Sequence, residues 1–209
     1  MSITAYLLTA LGAYLLGSIP TGFLVAKAKG IDIRSVGSGN IGATNAMRVL
    51  GKPAGISVLL ADAAKGFAAV WLASLLFESN QAGDLQTLRV VAGICAVLGH
   101  NYTCWLKFKG GKGIATTAGV YIALAPLPLL IALVVFILAV LVTRYISVGS
   151  IAAAIALPVA VWIMKPQNLL LGIVTTALGA LAIYKHKGNI QRLMAGTENR
   201  FGKKKETTK

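Results

Sequence analysis

Two polar stretches of this chain carry the residue types that can handle an anion. The first, from Ser35 to Gly51, reads Ser-Val-Gly-Ser-Gly-Asn-Ile-Gly-Ala-Thr-Asn-Ala-Met-Arg-Val-Leu-Gly. Gly37, Gly39 and Gly42 allow a sharp turn whose backbone N–H groups face a ligand. Ser38, Asn40, Thr44 and Asn45 add short donors, and Arg48 adds a planar fork of them. From Thr44 to Leu50 the composition turns helical, so the glycines precede a helix N-terminus, where the dipole also favours negative charge. The second stretch, Gly99 to Thr117, again clusters glycines, cations and hydroxyls before an apolar run. Lys112 lies there between Gly111 and Gly113, which lets its ammonium approach a phosphate without crowding, while Lys107 and Lys109 read as orientation anchors beside Tyr102 and Trp105. It is not a P-loop, because Gly-x4-Gly-Lys-Ser/Thr is absent.

Further along, His186 and Asn189 stand three apart, on one helical face, in a basic tail. Only 2 histidines and 6 acids occur in the chain, so candidates for general base work are few. Nothing resembles a metal site, and no cofactor is expected. Cys95 and Cys104 fall near half a turn from each other on a helix, which argues against a disulfide between them.

The elements that position these residues must be membrane helices. With 56% hydrophobic and 12% charged residues among 209, and a mean hydropathy of +0.76, the apolar segments are too many and too long for an ordinary soluble domain. The net charge of +14 would suit nucleic acid in a soluble protein; here it is read as membrane orientation, and no nucleic-acid partner is expected. Seven spans are predicted: Ile3 to Ala26, Ala54 to Phe77, Gln86 to Cys104, Ile114 to Ala125, Leu127 to Thr143, Ser147 to Met164 and Asn168 to Tyr184. The fourth is too short to cross a core of about 30 Å at 1.5 Å per residue, so it is a half-span or begins within the polar stretch before it. Pro20 kinks the first span, as a packing feature or as a lining of the site. Asp62 and Lys65, three apart on one face of the second, are expected to neutralise one another, although Lys65 could also swing toward an anion.

Arg89 and Lys165 fall outside and Lys65 within the membrane, leaving 17 of the 20 Lys and Arg on one side. That bias puts the N-terminus outside and the C-terminus in the cytoplasm, with both polar stretches on the cytoplasmic face. The result is an all-α, polytopic membrane protein, residues 1–209 forming a single domain. A transporter for phosphate-bearing solutes would also want anion cradles at membrane depth, but would commonly show repeated halves and groups reachable from both sides. A membrane phosphatase would usually show a nucleophile with an obvious base.

Three motifs carry a resemblance that spans essentially the whole chain. Gly-Ser-Gly-Asn-Ile-Gly-Ala-Thr-Asn-x2-Arg at 37–48, Gly-His-Asn-Tyr with Lys-Phe-Lys-Gly-Gly-Lys-Gly-Ile-Ala-Thr at 99–116, and His-x2-Asn-Ile-x-Arg-Leu-x2-Gly-Thr-Glu at 186–198 resemble the bacterial integral-membrane acyl-phosphate:glycerol-3-phosphate acyltransferases. The resemblance implies a seven-helix enzyme of the bacterial inner membrane. It would move a fatty acyl group from long-chain acyl phosphate to the primary hydroxyl of glycerol 3-phosphate, giving lysophosphatidic acid and phosphate, among membrane lipids. Carried over by motif, the site would use Ser38, Asn40, Arg48, Lys112, Ser150, His186 and Asn189, with Ser147 in the same short stretch as Ser150. Ile41 departs from the proline often found in the family. The chemistry agrees: both substrates are phosphates, and an acyl phosphate already has a good leaving group that Arg48 and Lys112 can stabilise as charge builds. A phosphate oxygen of a substrate or His186 would accept the hydroxyl proton, with His100 a second candidate. The His-x4-Asp signature of soluble-type acyltransferases is absent, since position 105 after His100 is Trp.

Overall fold

The computed structural model describes residues 2–76 and 82–202. Every regular element among them is helical: α1 Ile3–Ser18, α2 Thr21–Lys27, α3 Ala43–Leu50, α4 Lys52–Leu76, α5 Ala82–Asn101, a 3-10 turn Cys104–Leu106, α6 Ile114–Leu124, α7 Pro126–Thr143, α8 Ile146–Met164, α9 Leu169–Lys185 and α10 Lys187–Met194. Ile3–Lys27, Lys52–Leu75, Pro126–Thr143 and Ile146–Met164 are long and apolar enough to cross a membrane, and α9 with α10 makes a fifth if that bent pair is one span. Residues 77–81, from the last residue of the expected second span into the connection to the third, and residues 203–209 lie outside the described residues.

The chain divides into two compact units, Met1–Pro126 and Leu127–Lys209. In the first, α4 packs against α1, α2, α3, α5 and α6, and α1 lies along α5. Small residues bring these helices close: a side chain at Gly17 would meet the Ala96 backbone, one at Gly66 the Thr116 carbonyl, and one at Gly119 the Ala63 carbonyl. Apolar attraction between helices is weak in lipid, so close backbone contact supplies the packing. Val58, Val70, Leu88, Val90, Val120 and Tyr121 fill the buried space between them.

Pro20 does more than kink the first span. The helix stops at Ser18 and restarts at Thr21. The exposed carbonyls are taken up by side chains from elsewhere: Thr103 Oγ1 donates to the Ser18 carbonyl (2.6 Å) and Lys65 Nζ to the Ile19 carbonyl (2.7 Å). Lys65 also pairs with Asp62 at 2.8 Å, as the spacing predicts. The third segment ends earlier than expected, at Asn101 rather than Cys104, because Thr103 turns extended as the cap of the 3-10 turn that Cys104 begins. Both cysteines are free.

In the second unit α8 pairs with α9, and α10 leaves α9 at a bend of 51°. Pro158 sits inside α8, where it removes the bond to the Ala154 carbonyl; Gly179 of α9 lies against that carbonyl. Asn168 caps α9 by accepting the Leu171 N–H at 3.1 Å. The packing makes a testable demand: Gly119→Leu drives a side chain into backbone and should lower stability in detergent thermal unfolding by about 1–3 kcal/mol or more. Gly12→Ala, with nothing within 4 Å of the added carbon, should leave the midpoint unchanged.

Candidate active site

The first polar stretch folds as a tight loop leading into α3. Asp32 opens it, accepting from the Arg34 side chain at 2.9 and 2.8 Å; that fork, and the Arg34 backbone N–H, hold the carboxyl down to about 2. Gly37 and Gly39 take φ of 64° and 70°. The N–H groups of Ser38, Gly39 and Gly42, expected to face a ligand, are satisfied inside the loop, by Asn45 Oδ1 (2.8 Å), the Val36 carbonyl (3.0 Å) and Asn40 Oδ1 (2.9 Å). Asn45 is a staple of the loop: its buried Nδ2 faces the carbonyls of Ile33, Val36 and Asn40 at 3.3, 3.1 and 2.9 Å, which uses both amide hydrogens. What this staple presents is the first turn of α3, where Ala43 and Thr44 precede the first helical bonds. Thr44 and Ser38 are exposed there, and Arg48 is exposed one turn on, its Nη1 3.4 Å from Asn45 Oδ1.

The second polar stretch is pressed onto the end of α5. Gly110 and Gly111 donate to the carbonyls of Asn101 (3.2 Å) and His100 (3.0 Å). A side chain at Gly111 would collide with the His100 imidazole, and one at Gly113 would meet the Asn101 amide; Gly113 also takes φ of 82° as the N-cap of α6. The glycines around Lys112 thus answer first to contact with α5, a reason that spacing alone does not reveal. Lys112 is half-buried, immediately before that cap.

One apolar cluster seats both stretches. Ile41 and Ala46 from the first, with Ile33 just before it, and Leu106 from the second pack with Ala26 and Val58, all buried. The segments bearing Arg48 and Lys112 are therefore registered against each other by shared packing.

In the second unit the tail closes on itself. Gly196, φ 68°, ends α10 with the Thr197 N–H on the Arg192 carbonyl (2.8 Å) and its own N–H on Leu193 (3.1 Å), a Schellman reversal. That turn returns Glu198 against the helix it left. Glu198 accepts from Ser147 Oγ (3.1 Å), Asn189 Nδ2 (2.7 Å) and Arg192 Nε (2.7 Å). Phe201 and Arg200 extend the same seam along Arg144 and Tyr145. Ser150 donates to the Ile146 carbonyl of its own helix (2.9 Å), so it is Ser147 that meets Asn189 around one carboxylate. His186, at the α9–α10 bend, bonds through Nδ1 to the Ala182 carbonyl at 2.7 Å; a carbonyl can only accept, so Nδ1 carries the proton.

Glu198 was given no role in the sequence reading, although an acid two residues beyond a helix-ending glycine in a basic tail is a usable signal. Burial pushes its carboxyl up, but bonds from Asn189, Arg192 and Ser147 outweigh burial and hold it below the usual range. A lowered native value means stability that is present above the ordinary glutamate range, near pH 4.3, and is lost as pH falls through the native value. Glu198→Gln should cost about 1–3 kcal/mol near neutral pH and should flatten the acid limb of the unfolding midpoint measured against pH.

The family model for glycerol-3-phosphate acyltransferase matches residues 7–196. A glycerol-3-phosphate acyltransferase of Geobacter metallireducens is 53% identical over 190 residues, covering 91% of this chain and 94% of that protein. That of Geotalea daltonii is 47% identical over 200 residues, covering 95% and 99%. Crystal structures of PlsY (YgiH), an integral membrane glycerol 3-phosphate acyltransferase, match with TM-scores of 0.86 in its glycerol 3-phosphate form and 0.82 in its lysophosphatidic acid form. Both are 40% identical and cover 94% of this chain, and 96% and 95% of theirs. With the family model spanning nearly the whole chain and both polar stretches inside the match, the chain belongs to the glycerol-3-phosphate acyltransferase family.

Proposed function

We propose that residues 1–209 work as one integral membrane domain that transfers a fatty acyl group from long-chain acyl phosphate to the primary hydroxyl of glycerol 3-phosphate. The products are lysophosphatidic acid and inorganic phosphate. The observation that carries this reading is the apolar cluster that holds the segments of Arg48 and Lys112 together, since two phosphate substrates need clustered cations held in register. In the reaction the hydroxyl oxygen attacks the acyl carbon, the bond from that carbon to the phosphate oxygen breaks, and the bonding electrons leave with phosphate. Arg48 meets charge as a bidentate fork and Lys112 as a point charge, so the leaving oxygen is stabilised as it forms. Ser38, Gly39, Asn40 and Thr44 line the approach to α3, Asn45 holds that loop in shape, and Gly111 and Gly113 set the backbone on either side of Lys112.

Ser150, His186 and Asn189 belong to the proposed machinery as well. With Nδ1 protonated, Nε2 is the basic nitrogen of a neutral His186 ring and can take the hydroxyl proton; a substrate phosphate oxygen is the other acceptor. The group transferred is already activated, so neither metal nor nucleotide enters the scheme. The proposed setting is a bacterial inner membrane, with α1–α2, α4, α5, α6, α7, α8 and α9 as seven crossings, the N-terminus outside and the site toward the cytoplasm. The positive-inside bias of the Lys and Arg supports it.

Purified protein should make lysophosphatidic acid from palmitoyl phosphate and glycerol 3-phosphate, releasing one phosphate per acyl group; equal or faster turnover with acyl coenzyme A would sink the proposed donor. Arg48→Lys and Lys112→Ala should each lose about a hundredfold in kcat/KM while remaining folded. In a background lacking Cys95 and Cys104, Ser2→Cys should label from outside intact cells and Ser35→Cys should not. The reverse pattern overturns the orientation.

A further inference from the structure

Asp62, in α4, is a carboxylate within a membrane-length helix, and its side chain is 2% exposed. A carboxylate there needs a cation, and Lys65, one turn away at 2.8 Å, supplies it. Charge neutrality would be complete at that point, yet the pair is not closed on itself. Asp62 Oδ1 also accepts from Thr21 Oγ1 at 3.0 Å, and His100 Nδ1 stands 3.6 Å from the same oxygen. Lys65 Nζ spends a second hydrogen on the Ile19 carbonyl at 2.7 Å, within the break that Pro20 makes.

Each outward link leads to a phosphate-handling segment. Thr21 is the first residue of α2, the short helix that delivers the chain through Lys27 into the loop of Ser38 and then α3 with Arg48. The His100 carbonyl accepts the Gly111 N–H at 3.0 Å, and its imidazole Nε2 occupies the space where a Gly111 side chain would stand, one residue before Lys112. Thr103 Oγ1 to the Ser18 carbonyl (2.6 Å) and Ser18 Oγ to the Gly99 carbonyl (3.3 Å) tie the same two segments a second time. The apolar cluster keeps the two segments together on one side; the Asp62 group fixes where each begins.

We propose that Asp62 is a positioning residue for the acyl transfer. Through Thr21 and Lys65 it sets the restart of the first span that carries the Arg48 segment, and through His100 it backs the glycine on which Lys112 is mounted. The inference rests on Arg48 and Lys112 binding phosphate, a reading that Arg48→Lys and Lys112→Ala test separately in the same assay. The test uses two-substrate kinetics and thermal unfolding of the purified full chain. The double variant Asp62→Asn with Lys65→Met removes both charges together and so strands neither in the interior. It should melt close to wild type while the KM for glycerol 3-phosphate rises about tenfold or more, since small displacements of binding groups are costly. His100→Gln leaves the Asp62–Lys65 pair and Thr21 in place and should raise the same KM without moving the melting midpoint. Gly111→Ala should lose activity by collision with the imidazole and regain part of it when combined with His100→Ala. A folded protein of either of the first two kinds with wild-type KM overturns the proposal. So does early melting in both, which would make the group scaffold alone.

Discussion

A buried carboxylate and a buried ammonium can persist inside a membrane helix only as a pair, and much of the first unit follows from where that pair is placed. Either charge alone would cost about 3 kcal/mol on insertion scales, and more where no water reaches it. Asp62 and Lys65 face the point at which the first span is broken, so the ammonium that neutralises the carboxylate also satisfies a carbonyl that a proline-interrupted helix exposes. An interrupted helix in lipid needs such a partner, since unpaired backbone there is not solvated. The break in turn lets α2 leave the line of α1 as a separate short helix and carry the chain into the glycine-rich loop. The pair and the break are thus placed against each other.

The short α6 answers the same constraint in another way. Eleven residues fall short of an average hydrocarbon core of about 30 Å, so a crossing at α6 needs a locally thinned bilayer, and α6 must still hold its place against α4 and α5. It does so by close contact: Gly66 and Gly119 let α4 and α6 approach to backbone distance, and Val120 and Tyr121 are buried beside them. Its start is fixed equally tightly, because the glycines on both sides of Lys112 lie against His100 and Asn101. A lysine on such a mount loses little backbone freedom when it meets an anion, which is the sense in which a site is organised before its ligand arrives.

Sequence alone made the helical segments legible because their apolar runs are long and punctuated by proline, glycine and charge; α7 opens at Pro126, one residue before the expected Leu127, and α8 closes at Met164 as expected. The Asp62–Lys65 pair was legible from a spacing of three. The polar stretches were legible as composition but not as geometry. Asn45 looks like Asn40 in the sequence, and only the fold shows that one amide is spent on three carbonyls. Ser147 and Ser150 differ by three positions, and which one meets Asn189 depends on the turn at Gly196 that brings Glu198 back. Those are long-range consequences of chain reversal, to which local periodicity is blind. Leu106 is another case: its neighbours Trp105 and Phe108 are exposed, and nothing in the run of six residues marks it as the one that plugs the shared cluster.

The distribution of acids completes the electrostatic argument. Each Asp or Glu whose side chain is described is held by a basic partner: Asp32 by Arg34, Asp62 by Lys65 and Glu198 by Arg192. No acid stands in the first turn of α3 or of α6, where it would oppose an anion. The chain as a whole carries 20 Lys and Arg against 6 Asp and Glu, an excess of +14. An excess of that sign attracts a substrate bearing two negative charges. The described acids act as internal fasteners, each bound to a basic partner within a few residues of it.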